Sequence, residues 1–431
     1  MRIGGAPAGG LRTDHYELTM VQAARQSGAA DRRCVFEVFT RSLPGRRRYG
    51  VVAGLGRLLE LIPNFRFDDA AITFLTERNV VDDATADWLA TYEFRGSLHA
   101  YREGEVYVPG SPVLVVDGTF AECVVLETLI LSVLNHDSAV ATAAARMVCA
   151  AGDRPCIEMG GRRTHEEAAI AAARAAYLAG FASTSNLAAG ARWGVPTTGT
   201  ASHAFTLVHA DEATAFRAQV DALGAGTTLL VDTYDVERGI RTAIDIAGSG
   251  LGAIRLDSGD LPTQARRARE LLDQLGAHDT RIVVTSDLDE FAIARLAAAP
   301  VDAYGVGTSV VTGSGAPTAG FVYKLVARES AGEWQPVQKT SEGKHSVGGR
   351  KWAARRLADG KVVTDLLSVG EAIPPGDDMR PLLDHYISDG DVIESPSLHD
   401  AREHCRRAIA ELPDTAMSLS PGDPVFSAVR V

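Results

Sequence analysis

The chain has 431 residues, 46% of them hydrophobic, with 42 Gly and 18 Pro, which is enough to bury a sizeable core in two or three domain-sized units. Its 55 acidic and 43 basic side chains give a formal net charge of -12 with no basic tract, so a nucleic-acid surface is not expected and an anionic ligand must meet locally placed Arg and Lys. Five scattered cysteines (Cys34, Cys123, Cys149, Cys156, Cys405) form no CxxC knuckle and are odd in number, which argues for a reducing compartment and against structural disulfides or zinc.

From the N-terminus, MRIGGAPAGGLRTDHY lacks the apolar stretch of a signal peptide, and no later apolar run is long enough to cross a bilayer without charges. A cytoplasmic protein away from the membrane is therefore expected. TDHYELTM at 13–20 reads as a helix, and CVFEVFT and GSLHAYREGEVYV as strand-like pieces among helices. Thr164 and Glu167 stand in capping-box spacing at the head of an alanine-rich helix over 164–180.

Near residue 200 a regular alternation begins. TTLLVD at 227–232, GLGAIRLD at 250–257, RIVVTSD at 281–287 and VDAYGVGT at 301–308 read as strands separated by amphipathic helices. That alternation predicts an α/β fold with a parallel sheet, a barrel or part of one, over residues 111–330. Three of the strands end in Asp232, Asp257 and Asp287 and the fourth in Gly307 and Thr308, so four polar ends should converge at the C-terminal face. Residues 1–110 and 331–431 lack the alternation and are assigned jointly to a second, α+β domain, closing with a polar-faced helix in PSLHDAREHCRRAIAELP.

Carboxylates, glycines and arginines at a barrel rim suit a metal–phosphate substrate, since Asp can hold Mg²⁺ through water and glycine-flanked N–H groups approach phosphate oxygens. In RLDSGDL, Arg255 and Asp257 are two apart on a strand and point to one side; an ion pair followed by a helix cap explains the same letters. His203 in GTASHAF sits among small residues where a nucleotide could reach it, although a lone His is more often a satisfied core residue. Arg162 and Arg163 precede a helix N-terminus, where they meet an anion or simply remain solvated. Thr184, Ser185 and Asn186 are hydrogen-bonders or caps. The Tyr16 ring stacks on a flat ligand or packs in the core, while Lys324, Lys344 and His345 offer cations in strand and loop settings.

Taken in order, TDHYELTM, EMGGRRTHEEA, GFASTSNLAAG, PTTGTASHAF, VDTYDV, RLDSGDL, TSDLDE and YGVGTSV resemble the nicotinate phosphoribosyltransferase family, from about residue 11 to beyond 350. The resemblance implies an irregular α/β barrel domain with a second domain, and a homodimer with shared active sites. It also implies an ATP-assisted transfer of phosphoribosyl from phosphoribosyl pyrophosphate to nicotinate, with Mg²⁺, in NAD salvage. By the same resemblance His203 matches the histidine that ATP phosphorylates, and Arg255 and Tyr16 match positions holding the pyridine ring, Tyr16 reaching in from the partner. Asp232 and Asp257 match carboxylates near the ribose and reaction centre; Arg162, Gly307, Thr308 and Lys324 match phosphate-binding positions, with Asp287 a ribose, phosphate or metal contact.

Met159 departs from the family, many of whose members carry an aromatic ring there, so a Tyr–Met clamp on the ring is expected. Asn186 falls where nicotinamide-using relatives carry Asp, and an uncharged side chain suits the acid substrate. The alternatives are a nicotinamide or quinolinate phosphoribosyltransferase, an inactive relative that binds nucleotide metabolites, or a barrel hydrolase of unrelated chemistry.

Overall fold

The computed structural model describes residues 9–339 and 347–431, so Lys344 and His345 lie outside the described residues. The chain divides into two compact units: Met1–Ala139 with Thr318–Val431, and Val140–Pro317. The sequence-based boundaries at 110 and 330 fall differently for a specific reason. Strands Leu114–Thr119 and Phe321–Ser330 both pair with Arg33–Thr40, so both belong to the first unit.

In that unit a seven-stranded antiparallel sheet runs in the order 333–336, 321–330, 33–40, 114–119, 97–101, 383–388 and 391–392. Seven of the eight residues of Arg33–Thr40 are buried, as a central strand with both faces covered requires. The Phe36 ring stacks on Tyr323 with centroids 4.8 Å apart. A four-stranded sheet (379–381, 351–358, 361–369, 428–430) adds Arg355, a fully buried guanidinium that donates to Asp365 at 2.8 Å, to Glu105 at 2.5 Å and to the Val106 carbonyl at 2.8 Å. Burial by itself would lower the Arg355 pKa, but Glu105 and Asp365 outweigh it and hold the charge firmly.

The stretch Phe120–Ala151 is long and apolar enough to span a bilayer, but 67% of its apolar window is buried within the protein. Asp137 interrupts it, bonded through both oxygens to Arg57 Nη1 at 2.9 Å. Core packing explains the apolar length.

The second unit is built on a six-stranded parallel sheet in the order Ser183–Thr184, Cys156–Glu158, Ala303–Val306, Arg281–Val284, Ala253–Leu256 and Thr228–Leu230. The helices Val236–Ala247, Leu261–Gln274 and Glu290–Arg295 connect its successive strands. Leu229, Leu230, Ile254, Leu256, Ile282, Val284, Tyr304 and Val306 are at most 1% exposed, which is why these runs read as continuous apolar stretches. Among the described residues no ladder joins Thr228–Leu230 to Ser183–Thr184, so the sheet is open. The four strands expected from the alternation all form, and two short ones, 156–158 and 183–184, extend the sheet beyond them. At the alanine-rich helix Glu166–Leu178 the cap is His165, whose Nδ1 accepts from the Glu167 N–H, and not Thr164 as the capping-box spacing suggested.

Candidate active site

Parallel strands present all their C-terminal ends on one side of a sheet. Here four neighbouring strands deliver Asp232, Asp257, Asp287 and the Gly307–Thr308 pair to that side. Met159, Arg162, Arg163, Arg255, Asp257, Asp287, Gly307 and Thr308 all line one cavity of about 260 Å³. Eight of the residues singled out from the sequence thus come together.

At the edge of this group, His203 opens the helix His203–Val208. Its Nδ1 lies 3.1 Å from Thr233 Oγ1, and its Nε2 lies 3.8 Å from Asp257 Oδ2 and 3.9 Å from Asp232 Oδ1. The ring is 40% exposed, so the core-histidine reading fails. Asp232 accepts on Oδ2 from the Asp257 N–H at 2.8 Å and from Ser258 Oγ at 2.9 Å, while its buried Oδ1 has no hydrogen-bond partner. Asp257 in turn accepts on Oδ1 from Thr285 Oγ1. The capping alternative for RLDSGDL fails as well, because Asp260 at the N-cap makes no side-chain cap bond.

Arg255 Nη1 donates to Thr200 Oγ1 at 2.6 Å and to the Ala201 carbonyl at 3.2 Å, and Nη2 stands 4.0 Å from Asp257 Oδ2. Burial lowers the pKa of this guanidinium and nearby Arg162 adds to the effect, against the carboxylates of Asp257 and Asp232. A desolvated cation with a buried, unpartnered Nε is well suited to an anionic group entering the cavity.

One wall is set by close backbone approach. A Cβ on Gly305 would come 2.4 Å from Thr285 Cγ2 and 2.8 Å from Met159 Sδ, so the thioether of Met159 lies directly over Gly305. Behind it, buried Glu158 accepts from the Gly160 N–H and from Thr184 Oγ1. Desolvation raises the Glu158 pKa, against these two hydrogen bonds. Next to Thr285, Ser286 adopts φ +127°, a conformation that L residues rarely take, in the turn that carries Asp287.

The chain is similar to known proteins along nearly its whole length. The nicotinate phosphoribosyltransferase N-terminal domain matches residues 11–135. A nicotinate phosphoribosyltransferase of Mycobacterium tuberculosis is 56% identical over 427 residues, covering 97% of this chain and 94% of that one. The chain belongs to the nicotinate phosphoribosyltransferase family. Among solved structures, human nicotinic acid phosphoribosyltransferase superposes with TM-score 0.84 at 28% identity, over 97% of each chain. Nicotinate-nucleotide pyrophosphorylase from Pyrococcus furiosus gives TM-score 0.78 at 25% identity, over 95% of this chain and 98% of that one.

Five expected site residues of this family member do not line the cavity: His203 and Asp232, which stand next to Asp257, and Asn186, Tyr16 and Lys324. Asn186 caps the helix Leu187–Trp193, its Oδ1 accepting from the Ala189 N–H at 3.0 Å. Tyr16 and Lys324 belong to the first unit, where both approach Glu127. Lys324 Nζ is 3.7 Å from Glu127 Oε1. Tyr16 is 45% exposed, and partial burial, then the carboxylates of Glu127, Glu17 and Asp14, raise its phenol pKa. Its neighbour Glu17 is fully buried and accepts from Thr128 N–H at 3.0 Å, which explains its place in TDHYELTM.

Sequence reasoning missed Thr200, Thr233, Thr285, Glu158 and Glu127. Each works through a contact with a residue distant in the chain; the one available signal is that Thr200, Thr233, Thr285 and Glu158 fall within or beside the motifs already singled out. Among the described residues no three His, Cys, Asp or Glu side chains gather into a metal-holding group.

Proposed function

We infer that this chain joins nicotinate to phosphoribosyl pyrophosphate, forming nicotinate mononucleotide and pyrophosphate in the salvage route to NAD. The observation that carries this reading is the convergence of His203 Nε2 and Arg255 Nη2 on one oxygen, Asp257 Oδ2, at 3.8 and 4.0 Å, at a cavity also lined by Arg162, Asp287, Gly307 and Thr308.

No protein nucleophile is required, because the pyridine nitrogen carries a free lone pair. That pair forms the N–C1 bond as the C1–O bond to pyrophosphate breaks with its electrons to the leaving group. Positioning and charge stabilisation supply the rate. Arg255 faces the nicotinate carboxylate, and Met159 flanks the ring together with Tyr16 of the partner subunit. Asp232 and Asp257 stabilise positive charge growing at the ribose. Arg162, Asp287, Gly307 and Thr308 serve the phosphate groups, Lys324 is assigned to them by the family resemblance alone, and Asn186 leaves the site open to an acid where an Asp would repel it.

Asp232 and Asp257 are the residues that would hold Mg²⁺: Asp232 Oδ1 is buried without a partner, and Mg²⁺ is commonly held by one or two carboxylates plus substrate phosphates. When bound, the ion neutralises charge on the pyrophosphate. ATP enters this reading as a second substrate that phosphorylates His203. A ring-nitrogen lone pair forms the N–P bond, the γ-phosphorus to bridging-oxygen bond breaks with its electrons to ADP, and water later returns histidine and phosphate. A homodimer with shared active sites belongs to the same reading and is supported by the exposed Tyr16 ring. So does the irregular barrel with an α+β domain built from both chain ends, supported by the parallel sheet and the discontinuous first unit.

The test is formation of pyrophosphate and nicotinate mononucleotide from nicotinate, phosphoribosyl pyrophosphate and Mg²⁺, with and without ATP, in wild type and His203→Ala. Product that rises with ATP only in the wild type is expected. Equal turnover of nicotinamide or quinolinate would overturn the substrate assignment, and ligand binding without turnover would make the chain an inactive relative.

A further inference from the structure

The segment 200–203 does two things at once. Thr200 Oγ1 and the Ala201 carbonyl hold Arg255 Nη1 at 2.6 and 3.2 Å, and two residues later His203 turns Nε2 towards Asp232 and Asp257 at 3.9 and 3.8 Å. The segment is secured independently of Arg255 at Thr198, whose N–H donates to the Thr184 carbonyl at 2.9 Å, and at His203 Nδ1 through Thr233.

A phosphoryl group on the imidazole brings about -1.5 to -2 charges to a ring already facing two carboxylates. Bare carboxylates this close would repel the phosphoryl group and Mg²⁺ held by Asp232 and Asp257 would draw it in, so with or without the ion the ring, a carboxylate or both must shift. The ring is carried by the same short segment as Thr200. Its displacement therefore moves the hydroxyl and carbonyl that orient Arg255.

We propose that Thr200 is a positioning residue that transmits the phosphorylation state of His203 to Arg255, so that ATP changes the grip on the nicotinate carboxylate through the 200–203 segment. The proposal rests on the phosphohistidine reading above. It adds a mechanical route between two sites on the same rim, of the kind that requires one element biased by both.

Thr200→Val, with Thr200→Ser as the conservative partner, separates this from a merely structural role. Two quantities are measured: acid-labile label on the protein from γ-labelled ATP, and the ratio of nicotinate KM with and without ATP. Thr200→Val is expected to take up label as the wild type does, while an ATP-dependent KM ratio in the usual range for coupled sites, about 5–150-fold, collapses to under about 3-fold. Thr200→Ser is expected to restore the ratio. A Thr200→Val enzyme that keeps the wild-type ratio overturns the proposal, and so does one that no longer takes up label, since Thr200 would then only place His203. Absence of label in the wild type removes the phosphohistidine reading itself, and is recognisable because wild type and variants then coincide.

Discussion

Asp232 and His203 face each other across an unfilled hydrogen-bonding position: the buried Oδ1 of the carboxylate has no partner and lies 3.9 Å from the imidazole Nε2, while Oδ2 is fully engaged by Asp257 N–H and Ser258 Oγ. A buried carboxylate oxygen left unpaired costs free energy, which suits the Mg²⁺ proposed for this carboxylate. The two oxygens thus differ: Oδ2 braces the turn, while Oδ1 makes no hydrogen bond within the protein.

Replacing Asp257 by Asn removes a negative charge beside both Arg255 and His203. Removing a preorganised electrostatic contact typically costs about 10²–10³-fold in kcat. Steady-state kinetics of Asp257→Asn should show that loss chiefly in kcat, and full kcat would rule out the electrostatic role.

Thr285 holds Asp257 through Oδ1. Thr285→Val keeps the shape and deletes the donor, so Asp257 gains freedom and kcat is expected to fall by about 10-fold, the order of one lost hydrogen bond to a charged group. Thr285→Ser should recover most of it; equal effects of Val and Ser would assign the loss to packing of the methyl group.

Gly305→Ala puts a methyl 2.4 Å from Thr285 Cγ2 and 2.8 Å from Met159 Sδ. Overpacking of this kind costs about 1–3 kcal/mol, and displacing Met159 should raise the nicotinate KM. Denaturant unfolding together with KM checks both; an unchanged midpoint and KM would mean that the wall yields freely.

His99 stacks on His385 with ring centroids 4.2 Å apart, and burial, with Arg350 and His385 adding to it, lowers its pKa from 6.5 to about 4. The unfolded chain therefore binds more protons than the folded one between those values, so stability rises with pH across this window. The contribution is fully present above about 6.5 and is lost as pH falls towards 4. Unfolding midpoints measured from pH 4 to 7 should show a shallower slope in His99→Gln than in wild type; parallel slopes would mean that other groups carry the dependence.

Arg355 is fully buried between Glu105 and Asp365. Arg355→Met leaves buried Asp365 without its ion-pair partner and takes one of the cations from Glu105, and breaking such a pair costs about 3–5 kcal/mol. Thermal unfolding of that variant should show the loss, and a Tm close to wild type would mean that Arg380 and His404 compensate through Glu105.

The sequence by itself determined the parallel sheet, because fully buried strands alternating with amphipathic helices leave an unmistakable apolar rhythm, and it placed Asp232, Asp257, Asp287, Gly307 and Thr308 at strand ends, because chain direction alone decides which end of a parallel strand carries them. The strands 156–158 and 183–184 were too short to show a period, and the unit boundaries moved because antiparallel pairing between residues 33–40 and 321–330 has no local signature. Only tertiary structure decided which oxygen of Asp232 is free, that Thr285 rather than a helix cap holds Asp257, and that Thr200 meets Arg255 across 55 residues of chain. Hydrogen bonds between side chains on different strands depend on distances of a few tenths of an ångström, which spacing along a chain does not encode.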